Sequence, residues 1–396
     1  MSELYELPDG WEWKKLGEVG KITTGNTPSK KEKKYWDNGE YFFIKPPHLG
    51  SSISTLDTEE KLTEVGFLKA KPIPKNSIMV CCIGSLGKVG IADRKLATNQ
   101  QINSITFFKD TVDFKYGYYF AITLEKKMNK MANKAVVAII NKSTFSNIYF
   151  PLPPLQEQKR IVAKLDTLFE KIDKSIALHQ KNMDEADIFM GSVLNDVFEN
   201  LKKRCKWKKL DELTEVNIGK TPTRSKKEFF LGDKVWLSIR DLKGLYVSTS
   251  NEMITDEAIN VSNIKIVKKG TLLMSFKLTL GRTAFADCDL YTNEAIASLP
   301  IKDKSILNKY FLNYSLGVID LEKEVDNAIK GKTLNKQKLK NLDIPIPPLA
   351  IQQKTVIYLD KISQKIENLK SVQKEKMQNL IDLKASILDK TFRGEI

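Results

Sequence analysis

Asn147-Ile148-Tyr149-Phe150-Pro151-Leu152-Pro153-Pro154-Leu155-Gln156-Glu157-Gln158 marks a change of pattern in the chain, and Asn341 to Gln353 answers it. Upstream of each stretch, Gly, Pro and Asn punctuate short β-rich runs; downstream, the apolar spacing becomes helical. The paired prolines stand where a first helical turn has N–H groups to spare. Beyond them Ile161, Leu165, Leu168, Ile172, Ile176, His179, Met183, Ala186, Met190, Val193 and Val197 recur at steps of mostly three and four. No Pro or Gly interrupts between Leu155 and Gly191. This spacing predicts a single long helix with a narrow apolar seam. Val356, Leu359, Ile362, Ile366, Leu369, Val372, Met377, Leu380, Leu383 and Ile387 predict a second one. At 1.5 Å per residue each helix would be roughly 67 Å long. A thin stripe on so long a helix needs a partner helix, and the duplicate is the economical one, as an antiparallel coiled coil.

Working outward, the same echo runs through the whole chain at an offset of 194 residues. Trp13-Lys14-Lys15-Leu16 meets Trp207-Lys208-Lys209-Leu210, and Gly25-Asn26-Thr27-Pro28 meets Gly219-Lys220-Thr221-Pro222. Lys115-Tyr116 meets Lys309-Tyr310. A period this long implies domain-sized units rather than a solenoid. Strand-like runs include Tyr41 to Ile44, Ser77 to Ile83 and Ile102 to Phe108, with Lys234 to Leu237 and Thr271 to Phe276 in the second copy. The predicted fold class is therefore α+β: two pseudo-symmetric globular domains separated by two long antiparallel coiled-coil helices. Its boundaries fall at residues 1–150 for the first globular part, 151–200 for the first helix, 201–344 for the second globular part and 345–396 for the second helix.

Net charge is +15. Residues 1–150 carry an excess of six cations and residues 201–344 an excess of nine, while the two helical stretches cancel. Excess basic charge confined to folded parts is the footprint of a polyanion, nucleic acid first among them. The chain has no apolar run of membrane-spanning length and no basic-then-apolar start, so no membrane association is expected. Cys81, Cys82, Cys205 and Cys288 form no C-x-x-C pair, and only His48 and His179 accompany them. A zinc site is not expected, and a reducing cytoplasm fits.

The usual catalytic patterns are missing. A base methyltransferase needs Asn or Asp before Pro-Pro and an aromatic, to hold a flipped base. Lys45-Pro46-Pro47-His48 and the two Pro-Pro-Leu stops lack both. Gly84-Ser85-Leu86-Gly87-Lys88-Val89-Gly90 lacks phosphate-loop spacing and reads as a tight turn with a cation at its tip. What recurs is polar and basic. Thr27, Ser29, Lys30 and Lys33 follow the first Gly-x-Thr-Pro turn; Thr221, Thr223, Arg224 and Lys226 follow the second. Such loops are either solvated turns or phosphate contacts, and Arg and Asn also read base edges. The pairs Lys45/Arg240, Lys88/Arg282 and Asn99/Asn293, with Ser85 and Lys277, complete a candidate DNA-binding face. Differences between the copies, such as Gln100 against Glu294, would read different bases.

These motifs resemble those of the specificity subunits of type I restriction–modification systems: Trp-Lys-Lys-Leu opening each unit, Gly-x-Thr-Pro after it, an Asn on the strand near 99 and 293, and Ile/Leu-Pro-Pro-Leu-x-x-Gln heading each long helix. The resemblance covers essentially the whole chain. It implies that each globular part is a target recognition domain and that double-stranded DNA is bound as two half-sites across a fixed gap. It also implies two modification (methyltransferase) subunits that bind S-adenosylmethionine and methylate adenine, and restriction (endonuclease/translocase) subunits. The chain itself would be non-catalytic and hold no cofactor. The competing expectation, a tandem-domain DNA-binding regulator without restriction–modification partners, calls for a helix-turn-helix signature that the sequence lacks.

Overall fold

Ile78, Met79, Val80 and Cys81 are all buried, so both faces of this strand are covered and it belongs inside a sheet. The computed structural model, which describes residues 4–50, 58–132, 138–321 and 334–396, places it there. The Ile102–Phe107 strand flanks it on one side and Val89–Ile91 on the other, with Gly20–Thr24 outermost, all antiparallel. A smaller sheet joins Lys61–Leu62, Tyr41–Ile44 and Ala97–Thr98. The Trp-Lys-Lys motif pairs with the stretch before the prolines, Glu12–Lys15 against Tyr149–Leu152.

The second copy repeats the pairing in register. Ile78 faces Ile105, and Leu272 faces Leu299; Cys81 faces Ile102, and Ser275 faces Ile296. Lys206–Lys209 pairs with Asp343–Ile346 as its counterpart does. The strands predicted at Tyr41 to Ile44 and Lys234 to Leu237 have those bounds. The other predicted strands are a residue or two shorter at their ends.

The long helices span Leu155–Lys202 and Leu349–Phe392. The chain forms two compact units, Met1–Gln180 with Lys374–Ile396, and Lys181–Gln373, so each unit takes a share of both helices. In the first unit the shares run antiparallel: Arg160 donates to the carbonyl of Ile396 at 3.1 Å, and Asp173 pairs with Lys384 at 2.8 Å. In the second unit Asp187 pairs with Lys370 at 2.8 Å.

Each unit's core is closed by a helix end. Phe392 is buried in the first, 5.3 Å from the ring of Tyr116 and 5.4 Å from that of Phe120. Its equivalent 194 residues earlier, Phe198, is buried in the second, 5.4 Å from the ring of Phe311. A fully buried Phe contributes several kcal/mol through apolar burial and packing, on the order of 3–5 by truncation. The aromatic and aliphatic stripe of each long helix is therefore consumed by the core at its ends, a demand that the helical spacing alone does not reveal.

Candidate nucleic-acid interface

In both units the Gly-x-Thr-Pro turn and the Asn of the candidate face come together. A Cβ on Gly25 would lie 2.2 Å from the Thr98 carbonyl oxygen, and one on Gly219 would lie 2.1 Å from that of Thr292. Only glycine allows the two backbone segments to approach so closely. The next residue then bonds across, Asn26 N–H to Thr98 at 3.0 Å and Lys220 N–H to Thr292 at 2.9 Å. The Thr27 hydroxyl reaches Gln100 Oε1 at 2.6 Å, and the Thr221 hydroxyl reaches the Glu294 carboxylate.

Asn99 and Asn293 sit in the turn after the short strands Ala97–Thr98 and Tyr291–Thr292, not on a strand as expected. The reason is local. Each side-chain oxygen accepts an N–H two residues on, from Gln101 at 3.2 Å and from Ala295 at 3.1 Å, the turn that Asn favours. Asn99 is buried, with its amide on Gln101 Oε1, while Gln100 is exposed at the tip. The turn is also wired to its neighbours: Asn99 N–H to Ile44 and Asn293 N–H to Leu237, Cys82 N–H to the Gln101 carbonyl and Phe276 N–H to that of Ala295. The Gly84 to Lys88 turn and its equivalent around Lys277 to Arg282 are thereby held against the same framework.

On that turn Ser85 and Lys88 are exposed, as is Arg282, while Lys277 is half-buried with its ammonium 5.6 Å from the ring of Phe276. Gly84 adopts φ +79°, and its equivalent Leu278 adopts φ +62° with the side chain exposed. A branched residue in the left-handed region carries backbone strain of about 1–2 kcal/mol.

The pairing of Lys45 with Arg240 is corrected by strand register. Phe43 faces Ala97 and Trp236 faces Tyr291, so the second copy is one residue shorter before this strand. Lys45 precedes the Pro46–His48 turn and is therefore equivalent to Ser238, which precedes Ile239–Asp241. Arg240 lies within that second turn and is exposed. The turn is braced by Asp241, a buried carboxylate that accepts from Ser238 N–H at 2.8 Å and from the Asn251 amide at 2.7 Å.

Lys30 and Arg224 share an arrangement. Lys30 lies 5.6 Å from the ring of Trp36 and 3.3 Å from Glu60 Oε1; Arg224 lies 4.4 Å from the ring of Phe230 and forks onto Glu252 at 2.5 and 3.0 Å. Lys45 shares Glu60 Oε1 at 2.5 Å. Burial raises the Glu60 carboxyl, but Lys45 and Lys30 outweigh it and hold it below the usual carboxylate value. Arg224 does the same for Glu252. Lys33 is exposed in the Lys33–Tyr35 turn; Ser29 accepts the Trp36 indole N–H at 3.1 Å through its carbonyl; Thr223 accepts the Lys226 N–H; and Lys226 covers Phe229 at 4.9 Å. Neither Glu60 nor Glu252 stood out in the sequence, because their equivalence appears only when register replaces the 194-residue offset.

Among the described residues no group of His, Cys, Asp and Glu is placed to hold a metal ion, and no helix is long and apolar enough to cross a membrane. What the two units present is a pair of matching polar, cation-bearing loop clusters, each held by its own sheets.

Residues 8–182 and 202–377 each match the family model of the type I restriction modification DNA specificity domain. The chain therefore belongs to the DNA specificity subunits of type I restriction–modification systems. It is 25% identical to the MjaIX specificity subunit of Methanocaldococcus jannaschii over a 420-residue alignment covering the whole chain and 95% of that protein. It is 31% identical to the EcoR124I/EcoR124II specificity subunit of Escherichia coli over 189 residues, 44% of this chain and 46% of that one. Among solved structures, a chain from a study of complex assembly and conformational transition in a type I R-M system superposes with a TM-score of 0.75. That match has 22% identity and covers 99% of this chain and 100% of the other. The HsdS subunit from Thermoanaerobacter tengcongensis gives a TM-score of 0.52 at 24% identity, covering 99% of each chain. These two likenesses are likenesses of fold.

Proposed function

We propose that this subunit reads a bipartite double-stranded DNA target, one half-site with each unit, and directs adenine methylation and restriction carried out by partner subunits. The observation that carries this reading is duplication with difference. One loop framework occurs in both units, yet it bears Lys30 and Gln100 in one and Arg224 and Glu294 in the other. A shared frame with unlike polar tips suits two unlike half-sites, because base edges in the major groove differ in donor and acceptor pattern.

The basic excess of both globular parts supplies affinity for the phosphate backbone and steers encounter. The partners in this reading are two modification subunits, which bind S-adenosylmethionine, and restriction subunits. The chain contributes recognition and neither cofactor nor catalytic group, in a cytoplasmic complex. Methylome sequencing of a host that expresses the chain with its modification subunit tests the proposal. A methylated adenine in each of two short motifs at a fixed spacing is expected; a single continuous motif, or none, overturns it.

A further inference from the structure

In the first unit Lys61 faces Phe42 across the paired strands, and in the second Met253 faces Val235. One residue back along the same edge, the Glu60 carbonyl accepts from Phe43 N–H, and Glu252 faces Trp236. Phe43 and Trp236 are themselves equivalent, since they face Ala97 and Tyr291. Glu60 and Glu252 thus occupy one structural position, although they are 192 residues apart. Both hold the cation of the loop after Gly-x-Thr-Pro, and both cations rest on the aromatic six residues further along, Trp36 or Phe230.

We infer that Glu60 and Glu252 are positioning residues that aim Lys30 and Arg224 at the acceptor edge of a guanine, one in each half-site. The inference rests on the proposed bipartite recognition. A phosphate contact needs only a cation at about the right place, and a mobile lysine serves. A base-edge contact needs a donor held in direction, and two restraints from a carboxylate and a ring remove the rotamer freedom of a long side chain before DNA arrives. The Arg224 fork uses one N–H of each terminal nitrogen on Glu252, leaving the others and Nε–H to a ligand. Its side chain is 55% exposed, and that of Lys30 63%, so both are open to a groove. Arg and Lys on guanine O6 and N7 are the commonest specific base contacts.

Methylome sequencing of the full chain co-expressed with its modification subunit reads the outcome, alongside Glu252→Gln, Glu60→Gln, Arg224→Lys and Arg224→Ala. Glu252→Gln is expected to lower discrimination at one guanine of one half-site by about tenfold, leaving the other half-site unchanged. Glu60→Gln is expected to do the same in the other half-site. Arg224→Lys, which keeps the charge but loses the fork, should relax the same guanine as Glu252→Gln. It carries the test if Glu252→Gln fails to accumulate. Adding Glu252→Gln to Arg224→Ala should produce no further loss at that position. Unchanged half-sites, relaxation in both half-sites, a uniform fall in methylation with the motif intact, or additive losses would each overturn the inference. A wild-type chain that yields no bipartite motif would instead remove the proposed function on which it rests.

Discussion

Gln158 donates its side-chain amide to the carbonyl of Pro153 at 2.9 Å, five residues upstream, and Gln352 makes the same bond to Pro347 at 2.9 Å. Each amide also reaches a carbonyl in the globular part, Thr111 at 3.0 Å and Ile306 at 2.8 Å, and each side-chain oxygen accepts an N–H, from Asp113 and Asn308. Both glutamines are fully buried. The last residue of Pro-Pro-Leu-x-x-Gln therefore latches the first turn of a long helix to its own unit. Gln158→Leu fills a similar volume but strands two carbonyls and an N–H. Each buried, unsatisfied group costs about 1–3 kcal/mol. The bonds to Thr111 and Asp113 are part-buried, so the expected loss lies at the low end of that sum, about 3–5 kcal/mol by denaturant unfolding, with Gln352→Leu behaving alike; a loss under about 0.5 kcal/mol would refute the latch.

Phe392 should matter to the first unit and Phe198 to the second. Phe392→Ala removes a ring packed on Tyr116 and Phe120 and should destabilise by about 3–5 kcal/mol. Hydrogen exchange should localise the damage to the first sheet, around Ile78 to Cys81, and Phe198→Ala should expose Leu272 to Ser275 instead. Equal damage in both sheets from either change would contradict this assignment.

Gly25→Ala drives a methyl group against the carbonyls of Thr98 and Asn99, neither of which is a flexible side-chain end. The backbone segments must separate, at a cost of about 1–3 kcal/mol. The first half-site should then be methylated more weakly while the second stays intact, with Gly219→Ala giving the reverse. Full methylation of both by Gly25→Ala would show that the close approach is dispensable.

A ruler role for the helices has a direct test. Asp173–Lys384 lies in the first unit and Asp187–Lys370 in the second, so one heptad added after Gln180 and one after Gln373 leaves both pairs unbroken. Seven residues add about 10.5 Å of helix, roughly three base pairs at 3.4 Å each. The gap in the methylated motif should lengthen by about that amount with both half-sites kept; an unchanged gap with retained activity would exclude the ruler.

The Tyr5 hydroxyl donates to the carbonyl of Phe392 at 2.6 Å. Burial pushes its pKa up to about 12, with the nearby Arg393 working against the shift and Asp389 adding to it. Below pH 10 the hydroxyl is protonated in folded and unfolded chain alike. Between pH 10 and 12 the unfolded chain ionises first, so this contribution to stability is lost as pH rises. Tyrosinate absorbance, taken as the difference between wild type and Tyr5→Phe, should show a midpoint near 12; a midpoint near 10 would mean that the contact does not form.

How much of this was legible beforehand differs by element. The two long helices followed from the changed spacing, because periodicity is local, but their starts at 151 and 345 did not: Pro151 and Leu152, like Pro345 and Ile346, still belong to paired strands, and the helices begin after the prolines, at Leu155 and Leu349. The strands at Tyr41 to Ile44 and Lys234 to Leu237 were legible for the same reason. Asn99 was legible as a recurring residue but not as a buried turn former, since an Asx turn and a solvent-facing amide look alike in sequence. Lys45 and Arg240, 195 residues apart, match only as nearby cations of similar loops, whereas strand register reveals a one-residue deletion that makes Ser238, 193 residues on, the equivalent of Lys45.

By itself the sequence determined that the chain is duplicated, that each copy ends in one long helix, and that cations gather in the globular parts. Those are properties of local chemistry and of repetition. The tertiary structure alone decided that Phe392 completes the first core and Phe198 the second, because periodicity says that a side chain is buried but not against what. It alone made Glu60 the equal of Glu252, because backbone hydrogen bonds, not residue numbers, fix which side chains share a place.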